Sequence, residues 1–158
     1  MGRLVITLFL IERKILPAPL LYLSAFFEAT RREYYGRLLA VTERGEWEEW
    51  LLYFLRGVSR QAEDAVSRAE RINELLAAWR RAPAGQSSRS TAAMIDLLAQ
   101  NPFCTVNGMA DKLNVAFTTA QRAVDRLESA GVVKRVSEGK RNRVYCAQAL
   151  LDILEESA

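Results

Sequence analysis

Histidine is absent from all 158 residues of this chain. That absence removes the commonest general base and the commonest metal ligand among side chains, so a Ser-His or Cys-His nucleophile is excluded. Cysteine is nearly absent too: Cys104 and Cys146 stand far apart with no C-x-x-C spacing. Two cysteines cannot supply a structural zinc site, and without a secretory context both are expected as free buried thiols in a reducing cytosol. Long apolar runs are lacking as well. The best is Leu4 to Ile11, preceded by Arg3 and followed at once by Glu12, Arg13 and Lys14. A membrane span needs about twenty apolar residues, and a secretory signal needs a small-residue cleavage site that is missing here. The run therefore predicts a helix buried all round inside a helical core, and the chain is expected in the cytoplasm with no membrane partner. Charge of one sign is not in great excess. Twenty-two Lys and Arg face 19 Asp and Glu, for a net +3 and a pI near 9.1. Positive character must then be local, and no catalytic or metal-ligating set is expected.

Breakers are few, with 8 Gly and 4 Pro, and their positions divide the chain. Pro17-Ala18-Pro19 ends the first helix, a second begins near Leu20, and Thr30 to Arg44 reads as a third, closed by Gly45. From Glu46 a helical pattern runs to Arg81 with one internal glycine, Gly57. Within it Leu51, Leu55, Val58, Ala62, Ala65, Ala69, Ile72, Leu76 and Trp79 are spaced alternately by four and three, a heptad seam. Its partner is either the chain's own shorter helices or a second copy in a homodimer. Trp47 and Trp50 at its start are expected as core anchors. Pro83 to Ser90, P-A-G-Q-S-S-R-S, has linker composition. The expected organisation is thus a helical segment 1–82 carrying the long helix 46–81, a linker 83–90 and a second domain 91–158. Eleven of the 14 aromatic residues precede the linker, which predicts a substantial core in the front half.

The stretch from Thr105 to Ala147 names a ligand most clearly. Thr105 is placed to cap a helix whose buried side is Met109, Ala110 and Leu113. Asn114 tolerates the positive φ of a tight turn. In the next helix, at about 100° per residue, Ala120, Ala123, Val124 and Leu127 share one side. Thr118, Arg122, Asp125 and Ser129 lie opposite, with Thr119, Gln121 and Arg126 on the flanks. An apolar stripe backed by Arg, Gln and Thr suits a recognition helix, because those side chains hydrogen-bond base edges in a major groove. Ala130-Gly131 stops the helix, and Val132 to Val136 has strand character. Around the Ser137 to Lys140 turn, Lys134, Arg135, Lys140, Arg141 and Arg143 oppose only Glu138, as expected of phosphate holders. Helix pair and basic hairpin together are similar to a winged helix-turn-helix, and the expected partner is double-stranded DNA. Ala116 is a weak point, since it cannot cap the recognition helix with a side chain.

The front half carries a different likeness. M-G-R-L-V-I-T-L-F-L, P-L-L-Y-L-S-A-F-F-E (Pro19 to Glu28), R-R-E-Y-Y-G-R-L-L-A-V (Arg31 to Val41) and G-E-W-E-E-W-L-L-Y-F-L-R-G-V (Gly45 to Val58) resemble the Fic (filamentation induced by cAMP) domain family. The first of these resembles the end of its motif H-x-F-x-[D/E]-G-N-x-R-x-x-R and the helix that follows. Bacterial members of this kind carry a C-terminal winged helix resembling V-A-F-T-T-A-Q-R-A-V-D-R-L. The resemblance implies transfer of AMP from ATP, with Mg, to protein hydroxyls, but only Gly2 and Arg3 of the motif are present here. Arg3 matches the last motif Arg, a vestigial phosphate contact. The His, Phe, acidic residue and Asn fall before Met1, which itself fits a variable motif position. Either an upstream in-frame segment encodes them or the gene has lost its front. The chain as given is then expected to transfer no AMP, because phosphate positioning without base, metal carboxylate or amide-lined loop leaves the barrier unlowered. The resemblance also implies exposed apolar surface, as at Leu8, Phe9 and Leu20, where a missing core would pack.

The expected fold is mainly α, a helical bundle segment followed by a winged helix-turn-helix with a small β-hairpin. The expected function is sequence-specific DNA binding by a transcription regulator, a remnant of a Fic-type protein. Two alternatives stand beside it: the tail of a protein adenylyltransferase, and a protein–protein interaction module whose basic hairpin only solubilises.

Overall fold

A computed structural model describes residues 2–15, 22–86, 88–139 and 142–156. In chain order the elements are α1 (Gly2–Glu12), α2 (Leu23–Ala29), α3 (Arg31–Arg44), α4 (Trp47–Arg81), α5 (Pro83–Gln86), α6 (Arg89–Gln100), β1 (Phe103–Thr105), α7 (Val106–Leu113), α8 (Phe117–Ser129), β2 (Lys134–Arg135), β3 (Val144–Cys146) and α9 (Gln148–Glu155). The fold is mainly helical with one small antiparallel sheet, in which β3 lies between β1 and β2. No described helix is long and apolar enough to cross a membrane. Contacts divide the chain into two compact units, one running to Arg68 and one from Ala69 to Glu156. The division falls inside α4 rather than at the Pro-Gly-Ser stretch that the composition marks.

The first unit is built on aromatic packing. Leu23, Phe26, Phe27 and Tyr53 are buried, with Tyr34, Trp50, Phe54 and Val58 packed around them. Phe27 and Tyr34 rings lie 4.9 Å apart and Phe26 and Tyr53 rings 5.2 Å. Such pairs add to the area they hide through their ring quadrupoles. Gly57 permits the crossing of α2 on α4, because a Cβ there would come within 2.5 Å of the Phe26 ring. The buried Tyr53 hydroxyl is satisfied by Thr30 Oγ1 at 2.6 Å. Gly45, at φ 69°, ends α3 as expected.

Two expectations for this unit need correcting. The run in α1 is not buried all round: Val5 is 62 % exposed, Leu8 63 % and Phe9 49 %. The buried cluster and the residues packed on it come from α2, α3 and α4, while Leu10 and Ile11 of α1 are half-buried. Leu8 and Phe9 are exposed, while Leu20 lies outside the described residues. Trp50 does anchor the core, but Trp47 is 61 % exposed. Three residues apart on a helix, the two rings point about 60° from one another, enough to place one beyond the edge of the packed face.

The second unit is organised by helix caps. Ser88 caps α6 by accepting from the Thr91 amide at 3.1 Å. Thr105 caps α7 by accepting from the Gly108 amide at 3.1 Å, as its sequence position predicts. Asn114 takes φ 51° and ψ 50°, so α7 and α8 meet in a tight turn. The core joins Met94, Ile95 and Leu98 of α6, Val106, Met109 and Ala110 of α7, and the whole Ala120, Ala123, Val124, Leu127 stripe of α8. Val132, Val133, Tyr145 and Leu150 complete it. Every member of the predicted stripe is at most 1 % exposed, and truncating Leu127 would cost about 2 to 5 kcal/mol.

The last turns of α4 belong to this second core. Leu76 is buried in it, and Ile72, Leu75 and Trp79 pack against it. Arg80 binds Asp96 through Nε and Nη2, at 3.0 and 2.6 Å, while Arg71 pairs with Glu156 beyond α9. The heptad seam is thus buried at Leu76 and exposed at Leu51 and Leu55, 53 and 58 % respectively. The segment expected as a linker is likewise packed. Pro83–Gln86 forms a helical turn in which Gly85 is buried, and a Cβ there would come 2.2 Å from the Trp79 carbonyl. Glycine lets the chain fold back on the end of α4, where composition alone suggests a free tether.

Candidate nucleic-acid interface

Recognition by a helix requires that its polar face stay clear while the other face is locked. In α8 the locked face is the buried stripe, and Thr118, Thr119, Arg122, Asp125, Arg126 and Ser129 are exposed, with Gln121 half-buried. Ala116 occupies the N-cap with no side-chain hydrogen bond, the weakness its residue type predicts. Gln121 is not loose: its Nε2 donates to Asp125 Oδ1 at 2.7 Å, one helical turn on.

The hairpin stands beside this face. β2 and β3 pair Lys134 with Cys146 and Arg135 with Tyr145, and the Val136 amide extends the pairing to the Val144 carbonyl at 2.9 Å. The Ser137 hydroxyl accepts from the Val144 amide at 2.9 Å, closing the strand end. Regular pairing in β2 is shorter than the predicted Val132 to Val136 strand, because Val132 and Val133 turn inward as core residues.

A concave space of about 430 Å³ opens between the hairpin and the helix pair, lined by Thr105, Val106, Asn107, Phe117, Gln121, Asn142 and Arg143. It unites two of the expected residues, Gln121 and Arg143. Arg126 lies on the other flank of α8, against a shallower depression with Pro83, Ala84, Asp125, Ser129 and Ala130. Lys134 is exposed on β2. Arg135 turns to its own hairpin: Nε donates to the Ser137 carbonyl at 2.8 Å, and Nη2 to those of Glu138 at 3.0 Å and Gly139 at 2.6 Å. Lys140 and Arg141 lie outside the described residues, as does the side chain of Arg3, which sits in α1 of the first unit.

Besides the buried Val106, three lining residues carry no signal that the sequence analysis used. Asn107 sits in the first turn of α7, Phe117 opens α8 and is 52 % exposed, and Asn142 takes φ 51° in the hairpin. An apolar ring at the start of an otherwise polar-faced helix was the available signal for Phe117. Asn142 had the cations around it.

Residues 90–134 match the family of winged helix-turn-helix DNA-binding domains. The second unit has a winged helix-turn-helix fold. The match spans α6, β1, α7, α8 and the start of the hairpin, the elements that build the exposed face. It does not reach the first unit, whose likeness to the Fic family rests on its residues alone.

The remaining polar chemistry is spare. Among the described residues no three of Cys, Asp and Glu gather where a cation could sit. Cys104 and Cys146 are free thiols on adjacent strands. Burial, with Cys146 alongside, pushes the Cys104 thiol up to about 11. Cys146 is raised too, first by burial and then by Asp152 and Glu155. A raised thiol is protonated and unreactive at neutral pH, the opposite of what a nucleophile needs.

Proposed function

We propose that this protein is a transcription regulator that reads duplex DNA by laying α8 in the major groove and setting its hairpin on the flanking backbone. The observation that carries the reading is the exposure of Arg122, Thr118 and Thr119 on a helix whose opposite stripe is fully buried. Arg122 and Gln121 are the base readers, aided by Thr118 and Thr119. Arg126, Lys134 and Arg143 hold phosphates, together with Lys140 and Arg141 from the hairpin tip. A DNA ligand agrees with the cytoplasmic location expected from the sequence.

Fluorescence-anisotropy titration of the full chain against its own promoter and a scrambled duplex, over a series of salt concentrations, tests this. Arg122→Ala should weaken specific binding by about 1 to 3 kcal/mol, and Lys134→Ala should shallow the salt slope by about one. Absence of DNA affinity at low salt leaves the protein-interaction reading in its place.

The exposed seam of α4 supports a homodimer as part of this reading. Leu51, Leu55 and Ala62 are exposed at heptad spacing, and a second copy supplies the same stripe by two-fold symmetry. Paired winged helices then read two half-sites.

The exposed Val5, Leu8 and Phe9 favour a second reading, in which the first unit is the tail of a protein adenylyltransferase. The residues present do not fit ATP and Mg, for want of any His and of a carboxylate cluster among the described residues, so no transfer step is assigned to this chain. Sequencing in frame upstream of Met1 tests it: a contiguous H-x-F-x-[D/E]-G-N segment makes the enzyme the main reading.

A further inference from the structure

Phe117, Gln121 and Asp125 follow one another at four-residue spacing along α8, and the first two line the same concave space as Arg143 of the hairpin. Each has a property that a plain polar face does not require. Phe117 leaves half its surface in water at the very start of the helix. Gln121 is held by a carboxylate, and that settles its amide orientation. A carboxylate only accepts, so the group facing Asp125 must be the NH2. One N–H of Gln121 is thereby spent, leaving one N–H donor and the carbonyl acceptor for a base edge. That pair matches adenine in the major groove, where N7 accepts and the 6-amino group donates. It does not match guanine, which presents two acceptors there. An exposed aromatic ring, in turn, makes apolar contact with the one methyl group in the groove, that of thymine. Four residues of helix advance about 6 Å and successive base pairs are about 3.4 Å apart, so the two readers fall on base pairs one or two steps apart.

We infer that Phe117 and Gln121 form a reading pair for A·T base pairs, with Gln121 taking adenine, Phe117 taking a nearby thymine methyl, and Asp125 acting as the positioning residue for the Gln121 amide. The inference rests on the DNA-binding reading and adds the base class to it.

The test is selection of duplexes from a randomised library by the full chain, followed by atom-level substitution in the selected site. Selected sites should share A·T pairs in each half-site. Replacing the thymine by uracil should weaken wild-type binding by about fourfold, the worth of one buried methyl group, and should leave Phe117→Ala unchanged. Replacing the adenine by 7-deazaadenine should weaken wild-type binding about tenfold and leave Gln121→Ala unchanged. Asp125→Ala should blunt the 7-deaza effect while keeping the uracil effect. Circular dichroism confirms that the variants stay folded. Selection of G·C-only sites, or wild-type binding indifferent to both analogues, overturns the inference while leaving DNA binding standing. Failure to enrich any sequence over random duplex, with no binding at low salt, removes the DNA reading itself.

Discussion

Arg135 shows how little a residue's charge says about its task. Its position in a basic hairpin predicts a phosphate contact, yet its guanidinium donates to three successive carbonyls of the turn it flanks. Such a fork fixes the turn's path, and a lysine has no equivalent geometry. Arg135→Lys should therefore weaken DNA binding several-fold with the salt slope unchanged, whereas a phosphate holder would keep its affinity on that swap. A slope that falls by about one on Arg135→Gln would return it to the phosphate set. Cys104 gives a pH prediction whose sign is fixed. Its thiol titrates near 11 in the folded chain against an ordinary value of 9.0. The neutral form is favoured by folding, so this contribution to stability is complete below about pH 9 and disappears as pH rises towards 11. Unfolding by urea at pH 8, 9.5 and 10.5 should show a falling midpoint, and Cys104→Ser should flatten the trend. In the folded protein a maleimide at pH 7.5 should label far more slowly than after denaturation.

At the scale of elements, the parts legible in the sequence are those whose rules are local. Thr105 caps because its oxygen reaches an amide three residues on, Asn114 turns because its own φ permits it, and the α8 stripe follows from helical period alone. Elements missed or misjudged depend on distant partners. Phe103–Thr105 is a strand only because Val144–Cys146 lies beside it, and three residues carry no periodicity of their own. The heptad seam shows that α4 has an apolar side but not what covers each part of it, so Leu76 and Leu55 look alike in sequence and differ in burial. Residues such as Arg135 are illegible for the same reason, since the carbonyls they meet converge only once the turn has formed. Two substitutions probe the local rules. Ala116→Ser should supply the missing cap and raise stability by about 1 kcal/mol, read as a higher melting temperature. Gly57→Ala should lower it by about 1 to 3 kcal/mol, because the added methyl meets the buried Phe26 ring.

For the whole molecule, the absence of histidine and the presence of a bare helical seam set the expectations. With no histidine in the chain, the proposed DNA contacts include no side chain that ordinarily switches charge near neutrality, so DNA affinity should be flat between about pH 6 and 8. A bell-shaped profile would point to titrating groups outside this set of contacts. Leu51→Glu with Leu55→Glu should convert a dimer to a monomer in light scattering and reduce affinity for a two-half-site duplex more than for a single half-site. A wild-type chain that is monomeric at micromolar concentration and above would reject the seam as a dimer contact.

The three tryptophans are distributed in a way that makes the protein its own spectroscopic probe. Trp50 packs in the aromatic cluster of the first unit and Trp47 stands in solvent beside it, while Trp79 lies against the core of the second. Replacing Trp47 and Trp50 by Phe leaves one indole whose emission colour reports only on the second unit, so its melting can be watched while the other half stays dark.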